Sequence, residues 1–303
     1  MADWKCVRST AYLFPQALAS NPLTNTQVST YTSQGFELSV HADSNPTCSN
    51  WSNANLNSYY GSLIASLSAQ FPSLPAPKTH RMHCVSWSDY DSQPQIELQH
   101  GIRLDTSYYY WPPTWVNDRP GMFTGSGIPM RFTDRNGNLI DVYQATTQMT
   151  DESGQSYPLN SNTLLDNALG ANGFYGAFVV NAHNDQGSYP GIAPYVISSA
   201  QSRGVPIISS LQLLTWLDGR NSSSFGAITW SGNTLSFNIT QAAGARNLRA
   251  LLPAKGPNGT LNSITRSGSP VAFATQTIKG IPYATFAAVT GSYQAVYGAL
   301  PPP

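Results

Sequence analysis

The sequence predicts an α/β domain over residues 1–220 and a small immunoglobulin-like β-sandwich over residues 221–303. In the first part, short apolar segments alternate with longer segments of helical pattern, which is typical of parallel βα units. After residue 221 the hydrophobic period changes to two, and short strands recur between glycines and prolines, as in a β-sandwich. A chain of 303 residues, of which 41% are hydrophobic, is long enough to bury a core in each part.

The chain opens with a strand, a helix and a second strand. Residues 7–14 are an apolar segment that Pro15 ends, and residues 22–31 follow as a helix. Gly35 suits the position just after that helix, and residues 36–41 form the second strand. A βαβ unit of this length requires parallel pairing of its strands and a right-handed crossover.

The later elements follow from the same periodicities. We expect helices at residues 56–70, 162–170, 190–203 and 210–217, strands near 83–87, 102–104, 176–182 and 205–209, and a hairpin around Asn136-Gly137. In the second domain, strands are expected around residue 228 and at 235–239, 248–252, 271–273, 283–286 and 292–297. These last segments are evenly spaced, as expected of an all-β domain.

Charge and composition limit the function. Only 10% of the residues are charged, against about 25% in average proteins. Neutral hydroxyl and amide side chains suit extracellular proteins and hydroxyl-rich ligands such as glycans, so we expect a secreted protein. After Asp218 the chain has six basic residues and no acidic one, but they are scattered, which disfavours nucleic acid as a partner. No segment has the ~18 consecutive apolar residues of a membrane span.

The cysteines exclude one common metal site. Cys6, Cys48 and Cys84 are the three cysteines of the chain, and none of them has CxxC spacing. A zinc finger is therefore not expected, and at most one internal disulfide can form.

Two histidines stand at the predicted carboxyl ends of strands, where parallel α/β sheets bind their ligands. His41 is followed by Asp43 and Asn45, and His183 is followed by Asp185. A histidine beside a carboxylate or an amide can bind a metal ion or transfer protons. Two such sites at equivalent strand ends favour a function over a purely structural role.

Further candidates lie between these histidines. Arg81 and His83 share one side of an extended segment and can anchor a carboxylate or orient another histidine, while His80 is expected to be a solvated loop residue. Aromatic residues follow Asp105 on a loop, where their faces can stack on sugar rings. The aromatic candidates for substrate binding are Tyr108, Tyr109, Tyr110 and Trp111.

The order of these segments resembles the polysaccharide deacetylase homology domain, of the NodB type or carbohydrate esterase family 4. Residues 35–45, with the sequence GFELSVHADSN, resemble the second motif of that family, a strand that ends in metal-binding histidines. His41 matches the first of these histidines, and Asn45 stands at the position of the second. The resemblance extends over about residues 4–217 by segment order.

Three further segments extend the resemblance. Arg81 lies where the third motif has the arginine that orients the catalytic aspartate, and His83 stands in place of its proline. Residues 104–105 and the aromatic residues after them fall in the region of the fourth motif. Residues 179–185, with the sequence VVNAHND, resemble the fifth motif, which supplies the general acid. The first motif, a strand ending in Asp-Asp, would precede Trp4, where this chain has no such pair.

The resemblance implies a distorted (β/α) barrel of the polysaccharide deacetylase type and metal-dependent removal of acetyl groups from a polysaccharide or amino sugar. The expected partner is a polysaccharide or oligosaccharide substrate. The resemblance assigns a loosely held divalent ion, with zinc as the first choice, to His41, Asp43 and Asn45. The general acid is then His183, and the other catalytic candidates are Asp185, Arg81, His83 and Asp105.

Two other functions stay open at this point. The chain can be a catalytically inactive, carbohydrate-binding relative of the deacetylases, since it lacks the carboxylates of the first motif. It can also be a glycoside hydrolase, for which a pair of carboxylates can be drawn from Asp89, Asp91, Asp105, Asp151 and Glu152. Metal content distinguishes the metal-dependent deacetylase from the inactive relative, because stoichiometric zinc favours the enzyme.

Overall fold

A computed structural model describes the chain as two compact units. The described residues are 7–15, 23–42, 52–83, 89–109, 114, 116–121, 127–152, 154–171, 173, 176–183 and 191–298. Unit 1 consists of Met1–Ala168 and Phe174–Leu214, and unit 2 of Leu169–Gly173 and Thr215–Pro303. The chain therefore passes from unit 1 to unit 2 at residues 214–215, whereas the sequence analysis placed a domain boundary at 220–221.

Unit 1 alternates strands with helices. Its strands are β1 Thr10–Leu13, β2 Glu37–Ala42, β3 Thr79–Met82, β4 Leu104–Asp105, β5 Met130–Thr133, β6 Leu139–Gln144, β7 Thr147–Thr150 and β8 Val179–Asn181. The helices are α1 Asn25–Ser33, α2 Asn53–Gln70, α3 Ser92–Gln99, α4 Leu159–Leu169, α5 Ala193–Ser202 and α6 Ser210–Asn221. Helix α6 contains the point at which the chain enters unit 2.

Unit 1 contains a six-stranded sheet with the strand order β1-β2-β3-β4-β6-β5. The first five strands in this order are parallel, and the edge strand β5 is antiparallel to β6. A two-stranded sheet pairs β7 with β8 in parallel. The mixed α/β class is confirmed, while closure of these sheets into a barrel stays a prediction. Parallel strands have their carboxyl ends at one edge of a sheet, which is where ligands bind.

Strand β2 separates an apolar layer from a polar one. Leu38 and Val40 belong to a buried apolar core that includes residues of α2. The alternate residues Glu37, Ser39 and His41 are also buried, but they are polar. Because successive side chains of a strand point to opposite faces, one face of β2 packs on helices and the other presents polar groups up to its carboxyl end.

Helix α2 covers the apolar face of the sheet. Its N-terminus is capped by Ser52, whose hydroxyl accepts a hydrogen bond from the backbone N–H of Asn55 at 3.2 Å. Its buried residues recur at helical spacing and are Leu56, Tyr60, Leu63 and Leu67. Within the described ranges, neither this helix nor any other has the length and apolar character required to cross a membrane.

The hairpin predicted around Asn136-Gly137 is confirmed as β5 and β6. The backbone N–H groups of Asn136 and Asn138 both donate to Oδ1 of Asp134 at 2.8 Å, which closes the turn between the strands. Gly137 has a φ of +82°, a conformation that glycine adopts without strain.

Several other predictions for unit 1 were wrong. Residues 205–209 form no strand. The segment that follows is bound by side chains of the first two strands. The backbone N–H of Ser210 donates to the hydroxyl of Thr10, and the backbone N–H of Leu211 donates to the carboxyl group of Glu37. The strand expected near 83–87 lies at Thr79–Met82, and residues 84–88 are outside the described ranges. Helix α3 and strand β7 were not predicted, because both have polar sequences without a clear apolar period.

Unit 2 consists of two antiparallel sheets. Its strands are β9 Ser224–Ser231, β10 Thr234–Thr240, β11 Arg249–Pro253, β12 Lys255–Gly256, β13 Gly259–Arg266, β14 Ser269–Pro270, β15 Ala274–Ile278, β16 Ile281–Ala287 and β17 Gly291–Tyr297. One sheet has the order β12-β13-β17-β10-β9, with β14 beside β13, and the other has the order β11-β16-β15. The strand predicted at 271–273 was wrong, since these residues connect β14 to β15.

Both sheets of unit 2 contribute to one core. Phe237 and Tyr293 stack with their ring centroids 5.2 Å apart, and Phe286 packs against Tyr293 at 5.7 Å. The first two residues come from β10 and β17 of the larger sheet, and Phe286 comes from β16 of the smaller one. The two-layer packing agrees with an all-β module, while its immunoglobulin-like connectivity stays a prediction.

Loss of the Phe286 side chain is expected to destabilise unit 2. Phe286 is fully buried, so Phe286→Ala should lower the free energy of unfolding of this unit by about 3–5 kcal/mol through lost burial and a cavity. Thermal unfolding followed by near-UV circular dichroism measures the change. Ile228→Ala is the control, because Ile228 is exposed and should have a small effect. Equal unfolding temperatures for the two variants would contradict the core described above.

Candidate active site

The carboxyl ends of four strands carry the polar residues of the candidate active site. His41 lies at the end of β2, and Arg81 lies near the end of β3, which His83 follows directly. Asp151 follows β7 directly, and His183 lies two residues after β8. Strands β2 and β3 are paired in the six-stranded sheet, and β7 and β8 are paired in the two-stranded sheet, so the site residues fall into two groups.

His183 forms a tight pair with Asp151. The ring Nδ1 of His183 lies 2.7 Å from Oδ1 of Asp151, and the backbone N–H of His183 donates to Oδ2 of the same carboxylate at 2.7 Å. The other ring nitrogen, Nε2, lies 3.6 Å from Oε1 of Glu152. A carboxylate that accepts from Nδ1–H fixes the tautomer and orientation of the imidazole and leaves Nε2 to exchange a proton.

His41 and His83 form a second group at the neighbouring strand ends. Nδ1 of His41 lies 2.7 Å from the carbonyl oxygen of Arg81, which fixes Nδ1–H as the donor and leaves Nε2 with its lone pair. The ring centroids of His41 and His83 are 5.9 Å apart, and both rings contact Phe14, just after β1. Burial lowers the pKa of His41 to about 3, so its imidazole is neutral, as a metal ligand requires.

Arg81 connects three elements below these side chains. Its Nη1 donates to the carbonyl oxygen of Thr106 and to the hydroxyl of Thr147, each at 2.7 Å. Its guanidinium also lies over the ring of Tyr109, 5.6 Å from the centroid. Burial and the nearby carboxylate of Glu152 raise the pKa of Tyr109, whose ring is therefore a neutral phenol beside a cation. Arg81 thus links β3 to β7 and to the residue that follows β4.

The aromatic residues predicted to bind substrate follow β4 at the same edge. Tyr108 is 41% exposed, and its carbonyl oxygen accepts from the backbone N–H of Thr147. Tyr109 packs on Arg81, as described above. Two other aromatic candidates, Tyr110 and Trp111, lie outside the described residues.

Asp105 occupies a different environment from the other catalytic candidates. It is fully buried, its Oδ1 accepts from the backbone and hydroxyl of Ser107, and its Oδ2 accepts from the amide of Gln144 at 2.9 Å. Burial raises its pKa to about 7. Its nearest titratable neighbours are His80 and Glu97 rather than His183, so a direct catalytic role for Asp105 stays a prediction without support from this geometry.

One group of three potential metal ligands exists within the described part of the chain. It consists of His80, Glu97 and Asp105, all of them fully buried. The predicted ligand set was His41 with Asp43 and Asn45, of which only His41 is described. The predicted catalytic residue Asp185 also lies outside the described ranges.

Sequence reasoning missed the carboxylate partners of His183 and misjudged one other residue. Asp151 and Glu152 had been considered only as glycosidase carboxylates. Both come directly after strand β7, just as Asp43 comes directly after β2 in the sequence. His80 was expected to be a solvated loop residue, which is wrong, because it is fully buried within β3. Its alternation with Arg81 along the segment was the available signal, since neighbours on a strand face opposite layers.

Comparison with known proteins gives a distant structural likeness. No protein-family model matches the chain, and no curated protein matches its sequence. Among solved structures, a Mycobacterium smegmatis protein described as a "putative polysaccharide deacetylase" has 12% sequence identity to the chain and a TM-score of 0.47. That match covers 72% of this chain and 74% of the other chain. The function proposed below therefore rests on the geometry of the site.

Proposed function

We propose that unit 1 removes acetyl groups from an acetylated polysaccharide or oligosaccharide by hydrolysis, outside the cell. The observation that carries this proposal is the His183–Asp151 pair, with 2.7 Å between Nδ1 and Oδ1, at the carboxyl ends of parallel strands. An imidazole held in this way is suited to general acid–base catalysis, which hydrolysis of an amide or ester needs for its leaving group.

His183 donates a proton from Nε2 to the departing amine or alcohol. Asp151 stabilises the imidazolium that holds this proton, and Glu152, 3.6 Å from Nε2, adds a second negative charge beside it. The side chain of His183 is 23% exposed, so a substrate can reach it. Arg81 is a positioning residue, because it orders the backbone of β4 and the hydroxyl of β7 beneath the site.

A divalent metal ion fits the other half of the site. His41 and His83 supply two imidazoles, and His41 already has the tautomer and the neutral charge that a ligand needs. When bound, such an ion lowers the pKa of a water molecule and polarises a carbonyl group. His83 replaces Asn45 as the second ligand in this proposal, and Asp43 is the proposed oxygen ligand.

The substrate is proposed to be a glycan because of the aromatic segment that follows β4 in the sequence. Tyr108 is exposed, and Tyr109, Tyr110 and Trp111 continue the aromatic segment after β4. Aromatic faces with hydroxyl and indole groups bind sugar rings by stacking and hydrogen bonding. Unit 2 contains no His, Cys or Glu and one Asp, Asp218, so it offers little acid–base chemistry and is proposed to be an accessory module.

Zinc titration tests the metal half of this proposal. Calorimetry of the metal-free protein should show a zinc-binding event that His41→Ala and His83→Ala each weaken by at least about 10-fold. The matched control is His100→Ala, because His100 binds the amide of Asn57 and lies outside the site. A titration in which neither the number of zinc ions bound nor their affinity changes in either variant would show that these histidines bind no metal.

Product analysis tests the reaction. The protein, supplied with zinc, is incubated with acetylated chito-oligosaccharides and with an O-acetylated polysaccharide, and acetate and new reducing ends are measured separately. Acetate without new reducing ends is expected. New reducing ends would show a glycoside hydrolase, and binding of the glycan without either product would show an inactive carbohydrate-binding protein.

A further inference from the structure

A cluster of buried polar side chains lies between the sheet of unit 1 and the helices α2 and α3. His80 and Asp105 are direct neighbours in the pairing of β3 with β4. Gln93 and Glu97 are four residues apart on α3, so they lie on the same side of that helix. Tyr60 enters the cluster from α2, and all five side chains are fully buried.

The distances in this cluster suit a shared cation. Nδ1 of His80 lies 3.1 Å from Oε1 of Glu97 and 4.0 Å from Oδ1 of Asp105. One potential ligand atom from each of the three residues lies within 4.8 Å of the other two. Two atoms that bind the same zinc ion at about 2.1 Å are separated by about 3 to 4 Å, so small side-chain shifts complete the arrangement.

Unsatisfied hydrogen-bond acceptors around the cluster also favour a bound cation. Oε2 of Glu97, Oε1 of Gln93 and Oε1 of Gln144 are buried without a hydrogen-bond partner. The amide nitrogen of Gln93 donates to Glu97, and that of Gln144 donates to Asp105, each at 2.9 Å, which places both amide groups at the cluster. All three orphaned atoms are acceptors. Their lone pairs therefore lack a positive partner, which buried polar groups normally have.

The carboxyl groups of the cluster also lack a charged basic partner in the part of the chain that the structure describes. Within the described residues, no arginine or lysine forms an ion pair with Glu97 or Asp105, and burial lowers the pKa of His80 to about 4, so this histidine is neutral. Burial raises the pKa of Glu97 to about 8 and that of Asp105 to about 7. Burial therefore favours the protonated carboxyl groups when no cation is present, and a divalent ion would displace these protons and neutralise both carboxylates.

We propose that His80, Glu97 and Asp105 bind a divalent cation in a closed structural site between the sheet and helices α2 and α3. One imidazole nitrogen with carboxylate and amide oxygens is a donor set that suits Zn²⁺ or Mn²⁺. The ion fastens α3 to β3 and β4, and the hydroxyl of Tyr60 lies beside it, 3.1 Å from Nδ1 of His80 and 3.2 Å from Oε1 of Glu97. This site is independent of the function proposed above.

Metal analysis of a variant that lacks the proposed catalytic ligands tests this buried site. The double variant His41→Ala/His83→Ala removes the proposed catalytic ligands, and after purification without chelator it is expected to retain about one zinc or manganese ion per chain. Adding Glu97→Gln should remove that ion. Adding Asp166→Asn instead is the control, because Asp166 is an exposed surface residue and its loss should leave the ion in place. Metal retained by the Glu97→Gln protein, or absent from the double variant, would overturn the proposal.

A measurement without the Glu97 substitution covers the case in which that variant does not fold. Chelator should lower the unfolding temperature of the double variant by about 5 °C or more, and stoichiometric zinc or manganese should restore it. An unchanged unfolding temperature would overturn the proposal and leave two protonated carboxyl groups. Stability would then fall as the pH rises from about 5 to 8, because the folded-state pKa values are raised above those of the unfolded chain.

Discussion

His183→Gln is expected to lower kcat by about 100-fold or more on an acetylated oligosaccharide, with little change in KM. Glutamine keeps the approximate size of the side chain but cannot transfer a proton at neutral pH. The proton on Nε2 is needed only as the leaving group departs, so binding of the substrate should be preserved. Initial rates of acetate release over a range of substrate concentrations measure both constants.

Two companion variants make this result specific. Asp151→Asn should lower kcat less than His183→Gln does, since the imidazole remains but loses the carboxylate that fixes its tautomer. His100→Gln should leave kcat unchanged, because His100 lies outside the site. An unchanged kcat for His183→Gln would remove this histidine from the mechanism, and equal losses for all three variants would indicate a general loss of folding.

Arg81→Leu is expected to destabilise unit 1, lowering its free energy of unfolding by about 2–4 kcal/mol. The side chain is 7% exposed, and its loss removes charged hydrogen bonds to the carbonyl of Thr106 and the hydroxyl of Thr147. The hydroxyl of Thr147 still donates to the carbonyl of Thr106 at 2.9 Å, and leucine fills part of the volume, so the cost comes chiefly from the two lost charge-assisted hydrogen bonds. Unfolding in guanidinium chloride, followed by tryptophan fluorescence, measures the change.

Arg135→Leu provides the matched control for this substitution. The side chain of Arg135 is 66% exposed, and its ion pairs with Asp89 and Asp91 are 3.7 and 3.9 Å long. Exposed pairs of this kind contribute less than about 1 kcal/mol. Similar denaturation midpoints for Arg81→Leu and Arg135→Leu would show that Arg81 does not hold β3, β4 and β7 together.

The parts of the fold that the sequence predicted are those with a clear periodicity. The opening βαβ unit, helix α2 and the hairpin at Asn136-Gly137 all combine an apolar period with a recognisable turn or cap. Helix α3 has neither, since its sequence SQPQIELQ is mostly polar and its buried residues include Gln93 and Glu97. Those residues are buried because they bind one another across elements, which no local pattern reveals.

The candidate site was predictable in its histidines but not in the carboxylate partner of His183. His41 and His183 stand at ends of apolar segments, and a strand end is visible in the sequence. Asp151 lies 32 residues before His183, and only the parallel pairing of β7 with β8 brings the two together. The alternation of His80 and Arg81 between two layers likewise depends on where β3 begins, which the sequence analysis placed four residues too late.

The most direct test of the proposed reaction is the release of acetate from an acetylated glycan by the zinc-supplied protein, with His183→Gln run in parallel. We expect the unsubstituted protein to release acetate and to expose one amine or hydroxyl for each acetate, without new reducing ends. The variant should bind the same glycan and release acetate at least about 100-fold more slowly. Equal rates for the two proteins, or no acetate from either with any acetylated glycan, would contradict the proposal that His183 and Asp151 catalyse deacetylation.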